Sequence, residues 1–151
     1  ENIKLLIDKG CDIDVKDNNG NGLLYYAIKY SQKSKMNVFN EKFDYLINKG
    51  LNPKTHNNKG ENLYHVAIEK NNMEIIKKIG DYNININTVN KDGMTALHIA
   101  AMKANNSDIM RLLIEKGADI TSKTNFGETA FDLASENELL IKSKTKLDFL
   151  K

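Results

Sequence analysis

Cysteine occurs once in these 151 residues, and the lone Cys11 cannot close an intramolecular disulfide, so nothing staples the fold covalently. No apolar run approaches the roughly 18 residues that a membrane-spanning helix needs. No charged-then-apolar leader opens the sequence either, and the expectation is a soluble segment without a membrane span. Neither sign of charge dominates: Lys plus Arg number 22 against 20 for Asp plus Glu, a net charge of +2. That balance makes no electrostatic case for nucleic acid or an anionic membrane as the main partner. Also missing are a Gly-rich phosphate loop ahead of a helix, a Cys/His cluster at metal-ligand spacing, and any Ser/His/Asp or Cys/His set that one pocket could hold. Carboxylates are plentiful but form no recognisable catalytic pair. The expectation is therefore a non-enzymatic chain with no catalytic residues, no metal and no cofactor.

The chain is long enough for one domain, and its 40% hydrophobic content is ordinary for a globular protein. Asn-rich dipeptides recur, but the apolar residues between them keep a helical period, which predicts ordered helices joined by polar turns. Glycines at 20, 60, 93 and 127 are spaced 40, 33 and 34 residues apart, and a period near 33 is the mark of a stacked repeat. Three residues before each glycine stands Asp17, Asn57, Asn90 or Thr124. A short polar side chain there can accept backbone hydrogen bonds at the start of a turn. Two residues after each glycine come Gly22, Asn62, Thr95 and Thr129, all tolerated helix N-cap types, each followed by apolar sequence and a small Ala27, Ala67, Ala100 or Ala134. A second helix per unit reads from "NIKLLIDKG", "NEKFDYLINKG", "MEIIKKIGDYN" and "DIMRLLIEKG", stopping at Gly10, Gly50, Asn83 and Gly117. Gly and Asn accept the left-handed conformation just past a helix. Lys9, Lys49 and Lys116 sit in three of the last turns, where positive charge complements the helix dipole.

On these residues the chain resembles an ankyrin-repeat protein. "MTALHIAA" is similar to the family's TPLHxAA signature and "LLIEKGADI" to its LLxxGADV ending, and residues 90–123 are the nearest match. The resemblance implies an all-α ankyrin-repeat solenoid of stacked helix-turn-helix units joined by β-hairpin-like loops. It divides a single domain, 1–151, into a partial repeat 1–16, a repeat with an insertion at 17–56, repeats at 57–89 and 90–123, and a capping repeat at 124–151. Leu23, Leu63, Ala96 and Ala130 replace the family's proline, Gly22 and Asn62 its threonine, and Gly80 stands where an apolar residue is expected. The first two full repeats are thus expected to be locally looser. The resemblance also implies structural roles for Thr95 and Thr129 as caps and for His65 and His98 as hydrogen-bonding links within and between turns. Tyr25 and Phe131 replace the histidine in the outer copies. His56, in a loop, is expected to face solvent.

Ankyrin arrays resemble one another in binding through the turn tips and the exposed side of the first helices, a concave face. Carried over by position, the second, third and fifth turn residues are Asn18, Asn19 and Asn21; Asn58, Lys59 and Glu61; Lys91, Asp92 and Met94; and Asn125, Phe126 and Glu128. The exposed helix pairs are Lys29 and Tyr30, Glu69 and Lys70, Met102 and Lys103, and Glu136 and Asn137. Phe126, Met94, Met102 and Tyr30 are expected to point outward as apolar anchors. The partner implied is another protein, bound by a monomer more readily than by an oligomer. The alternatives are the regulatory or targeting arm of a larger enzyme or effector, and self-association through the first helix.

The spacing of 40 leaves seven extra residues between Ala27 and Gly50, read as a longer loop or an extended second helix; a solvated loop rich in Lys29, Lys33, Lys35 and Lys42 is the expectation. The start inside a second helix, with Leu5, Leu6 and Ile7 lacking an upstream partner, reads as a piece of a longer array. Lys142, Lys144 and Lys146 read as a solvated terminal cap. Two substitutions test the register by chemical denaturation. Thr95→Ala is expected to cost about 1 kcal/mol through loss of the cap, and no change would contradict it. Phe126→Ala is expected to shift stability by under about 0.5 kcal/mol, whereas a loss several times larger would place the ring in the core.

Overall fold

The computed structural model describes Gly10 and residues 12–151; Leu5, Leu6, Ile7, Lys9 and Cys11 lie outside the described residues. Each unit begins with the turn that the sequence marks. The side chains of Asp17, Asn57 and Asn90 accept the amides of Asn19, Lys59 and Asp92, each at 2.9 Å, and Thr124 Oγ1 accepts that of Phe126 at 3.2 Å. Each also accepts the amide four residues on, at 2.9 to 3.3 Å. The turn closes on a glycine of positive φ, between 74° and 81° for Gly20, Gly60, Gly93 and Gly127, a conformation costly for any residue with a Cβ.

Successive turns are joined edge to edge. The amides of Asn58, Lys91 and Asn125 donate to the carbonyls of Asn19, Lys59 and Asp92 at 2.9, 3.0 and 3.0 Å. The side chains of Asn58 and Asn125 donate further to the carbonyls of Asn18 and Lys91. No strand forms among the described residues, and these loops are hairpin-like only in their bonding.

From each turn a short first helix departs: α1 (Leu23–Lys29), then, after a second helix α2 (Met36–Asn48), α3 (Leu63–Glu69). The pattern continues through α4 (Met73–Ile79), α5 (Ala96–Lys103), α6 (Asp108–Glu115), α7 (Ala130–Ser135) and α8 (Glu138–Lys142). The first helices α1, α3, α5 and α7 pack side by side, with α2, α4, α6 and α8 behind them as a second layer. Ala27, Ala67, Ala100 and Ala134 are all buried where the first helices meet, so their small side chains set the close approach. Ile28, Phe43, Leu46, Ile75, Ile76, Ile79, Leu97, Met110 and Leu113 fill the space between the layers. The described chain is the all-α stacked array expected from the sequence.

The helix stops hold as well. Gly50, Asn83 and Gly117 have φ of 105°, 56° and 104°, and the amides of Leu51 and Ala118 reach back to Leu46 and Leu113 at 3.2 and 2.9 Å, closing the helix ends. Behind these stops lies a second series of side-chain turns, Asp12, Asn52, Asn85 and Asp119, each bonded to the amide two residues on at 2.8 or 2.9 Å. On the outer layer Lys78 Nζ lies 2.8 Å from Asp44 Oδ1, and the Tyr82 hydroxyl donates to the same carboxylate. Asp44 is held below the usual carboxylate range by these two donors, Lys78 first. Gly80 opens a short 3-10 turn over Gly80–Tyr82, where a Cβ would meet Lys116 Nζ at 2.6 Å.

Three expectations change. Of the two readings of the extra residues between Ala27 and Gly50, the extended second helix holds and the solvated loop does not: they form a 3-10 turn over Lys33–Lys35 and lengthen α2 to 13 residues. Met36, Phe39 and Phe43 anchor that extension in the core, while Val38 stays exposed. The looser start expected of repeat 57–89 is not seen, because Asn62, a tolerated cap type, accepts the amides of Tyr64 and His65 as a threonine would; of the four first helices described, the one that follows Gly22 alone has no side-chain cap. The terminal cap is more than solvated lysine. Lys142, Lys144 and Lys146 are exposed, but Leu150 is buried, the Arg111 guanidinium lies 4.2 Å from the Phe149 ring centre, and Lys151 lies over Phe131. A Cβ at Gly93 would fall 2.8 Å from the Asn125 amide nitrogen, whereas one at Gly127 would meet nothing within 4 Å. Gly93→Ala is expected to destabilise by more than Gly127→Ala, which carries only the left-handed penalty of about 1 kcal/mol; equal losses in urea would contradict the stacked turns.

Candidate partner-binding face

The face is organised by the cap of each first helix. Thr95 Oγ1 accepts the His98 amide at 3.3 Å, and the Thr95 amide donates to His98 Nδ1 at 3.0 Å. The other ring nitrogen, Nε2, lies 2.9 Å from the Ser122 carbonyl. Since Nδ1 accepts, Nε2 carries the proton and donates it. His65 repeats the arrangement, with the Asn62 amide on Nδ1 at 3.1 Å and the Met94 carbonyl 2.8 Å from Nε2. Both rings are buried, and burial pushes both below the usual histidine range. Each is a neutral link from a helix cap to a distant carbonyl, for His65 in the following repeat and for His98 in the segment that leads into it, and each is fully used by that link. Thr129 closes the same box with Asp132, whose carboxylate is held below its usual range by the Thr129 amide. Asp92 is exposed and lies outside the Thr95–His98 box.

At the first helix Tyr25 stands in the histidine's place. A groove of about 400 Å³ lies there, lined by Tyr25, Val15, Leu51, Asn57, Glu61 and Val66 among others. Beside it the Tyr26 hydroxyl donates to Asp17, which pulls the carboxyl down to about 2 and pushes the phenol up to about 12. Tyr26 stacks on Tyr30, with ring centres 6.0 Å apart, and Lys29 Nζ lies within 6 Å of the Tyr25, Tyr26 and Tyr30 rings. His56 is exposed, as expected for a loop histidine. Among the described residues no three His, Cys, Asp or Glu side chains converge as metal ligands.

Of the anchors expected outward, Phe126 is 83% exposed, Tyr30 68% and Met102 47%. Asn18, Asn19, Asn58, Lys59, Lys91, Asp92 and Asn125 lie exposed along the same tips. Lys103 is exposed too and pairs with Glu69 at 2.5 Å, and Lys70 Nζ donates to the Lys29 carbonyl at 2.9 Å, so these charges bridge neighbouring first helices.

The fifth turn position is corrected throughout. Met94 is half-buried and packs on the core. Glu61 and Glu128 are half-buried, accepting from Asn57 Nδ2 and Thr124 Oγ1, and Asn21 is buried with its Oδ1 accepting from Asn57. The reason is the turn's own bond from the fifth amide back to the first side chain, which brings the fifth side chain against the stack. Asn137 is corrected likewise: it is buried, caps α8, and donates to the carbonyls of Ala101 and Ala104 at 2.9 and 2.8 Å.

Comparison with known proteins agrees with this geometry. A family model described as ankyrin repeats (3 copies) matches residues 36–124 and 84–143. The chain belongs to the ankyrin-repeat family. It is 34% identical over 107 residues to the ankyrin repeat protein L371 of Acanthamoeba polyphaga mimivirus, covering 71% of the chain and 13% of that protein. It is 31% identical over 131 residues to ankyrin repeat protein OPG189 of variola virus, 85% of the chain and 23% of that protein. It is 30% identical over 112 residues to the ankyrin repeat protein FPV223 of fowlpox virus, 74% of the chain and 72% of that protein. The chain thus spans less than a quarter of the length of the first two relatives. Ankyrin repeats are in general protein–protein interaction modules and generally non-catalytic, and no described helix of this chain is long and apolar enough to cross a membrane.

The histidine links give a pH dependence with a definite sign. A histidine lowered when folded binds fewer protons than when unfolded, so stability is complete above about pH 6.5 and falls as pH drops below it. Urea midpoints taken between about pH 7.5 and 5 are expected to fall on acidification, and His98→Asn to flatten the slope. A midpoint that rises on acidification would contradict the neutral links.

Proposed function

We propose that this ankyrin array is a non-enzymatic scaffold that binds a protein partner across the turn tips and the exposed side of the first helices. The observation that carries this reading is Phe126: a phenyl ring 83% exposed at the tip of a turn whose backbone is fixed by Thr124 and by the preceding turn. A rigidly mounted aromatic side chain contributes contact area at low entropic cost, which is the character of an interface anchor. Tyr30 and Met102 supply two further apolar contacts on the first-helix side, and Asn58, Lys59, Lys91, Asp92, Lys103 and Asn125 supply a polar rim. Met94, Glu61 and Glu128 act in this reading from beneath, by shaping the tips. The unit division at residues 17, 57, 90 and 124 follows the same turns, and a monomer presents the face without a second copy.

A second reading, a regulatory or targeting arm of a larger enzyme or effector, is favoured by one observation: the chain matches only 13% and 23% of its first two relatives. In either reading the same face does the binding.

The test is a photo-crosslinking capture with the native chain, a Tyr30→Ser, Met102→Ser, Phe126→Ser variant, and an outer-layer Val38→Ser control, all checked for folding by circular dichroism. A protein retained by the native chain and by the control and lost with the triple variant is the expected result. Equal retention by all three would remove the proposed face.

A further inference from the structure

Two Asn-Gly sequences stand side by side in the first turn, Asn19–Gly20 and Asn21–Gly22, and the fold treats them in opposite ways. Asn-Gly is chemically fragile because glycine has no side chain to shield its amide nitrogen from the asparagine carboxamide. Asn21 is buried and held at every polar group. Its amide donates to Asp17 Oδ1 at 2.9 Å, its Nδ2 donates to Asp17 Oδ2 at 3.3 Å, its Oδ1 accepts from Asn57 at 3.0 Å, and its carbonyl accepts from Asp17 at 3.0 Å. Asn19 is exposed, and its carboxamide makes no hydrogen bond among the described residues.

We propose that Asn19 is a site of spontaneous deamidation and that Asn21 is protected from it by the fold. The Gly20 nitrogen, having lost its proton to solvent, attacks Asn19 Cγ. The new N–Cγ bond closes a five-membered succinimide, the Cγ–Nδ2 bond breaks, and the carboxamide nitrogen leaves as ammonia after taking up a proton. Water then adds to one of the two ring carbonyls. Opening at Cγ gives an aspartate in the normal backbone; opening at the main-chain carbonyl gives an isoaspartate, with the chain now running through the side-chain carbons. No oxidant or cofactor is needed.

The same contacts that build the turn regulate the reaction. The Gly20 amide donates to the Asp17 carbonyl at 3.0 Å, and the Asn58 side chain presses on Gly20, where a Cβ would meet its Oδ1 at 2.6 Å. Attack therefore requires the turn tip to open briefly, a local event that does not need the helices to unfold. The isoaspartate product inserts an extra backbone atom at the residue whose carbonyl accepts the Asn58 amide, so it removes the link between the first two turns. Exposure of the Asn19 carboxamide sets the site; the stability of one turn sets the rate.

The experiment ages the folded chain in mildly alkaline buffer and follows both positions by peptide mapping with fragmentation that separates aspartate from isoaspartate. A urea-unfolded sample and an Asn58→Ala variant are run alongside. In the folded chain Asn19 is expected to convert about tenfold faster than Asn21 or more. The two are expected to converge in urea, and Asn58→Ala is expected to speed Asn19 alone. Equal rates in the folded chain, faster loss at Asn21, or no loss at Asn19 while the unfolded chain reacts would each overturn the proposal.

Discussion

One amide per repeat ties each turn to the turn before it: Asn58 to Asn19, Lys91 to Lys59, and Asn125 to Asp92. Everything that gives this molecule a face depends on that tie. It favours a glycine at the close approach, since a Cβ at Gly93 would fall 2.8 Å from the Asn125 amide nitrogen and one at Gly60 3.2 Å from Asn90 Cα. It fixes the spacing at which first helices leave the turns, and hence the need for alanine where those helices meet. The histidines His65 and His98 support the same stack from below through a proton held on Nε2, His65 joining its cap to the next repeat and His98 joining its cap to the segment just before the next turn. A local turn preference is thereby converted into long-range order without a β-sheet or a disulfide among the described residues.

The same tie divides labour within a turn. Its first residue spends its side chain on backbone amides, its fourth must be glycine, and its fifth is drawn inward, as Asn21, Glu61, Met94 and Glu128 all show. Only the second and third positions stay outward. Of these, Asn58 and Asn125 also bridge to the previous turn, which leaves the third position the freest to vary, and there the residues are Asn19, Lys59, Asp92 and Phe126. Among the outward positions the widest chemical variety falls at the third, which suits the proposed scaffold.

The sequence makes local signals legible and long-range ones not. Glycine spacing, Asx turn starts, caps and helix stops are each decided within a few residues, so they can be read directly, and among the described residues they reappear in the structure with the exception of a side-chain cap at Gly22. The second series of side-chain turns, Asp12, Asn52, Asn85 and Asp119, follows the same spacing and was equally available. Burial of the fifth turn residue was not, because it arises from packing against a neighbouring turn 33 to 40 positions away. Asn137 reads as a helix-surface residue until Ala101 and Ala104 offer their carbonyls. The extended α2 and the anchoring of Leu150 fall in the same class, since apolar residues in a lysine-rich stretch show their destination only once the opposing surface exists.

Hydrogen exchange of the three tying amides tests the central claim most directly. The account predicts that the amides of Asn58, Lys91 and Asn125 are protected together with helices α3, α5 and α7, although the turns that carry them project into solvent. Exchange at the rate of an unstructured loop, with the helices still protected, would mean that the turns are not joined and that the face they carry is not fixed.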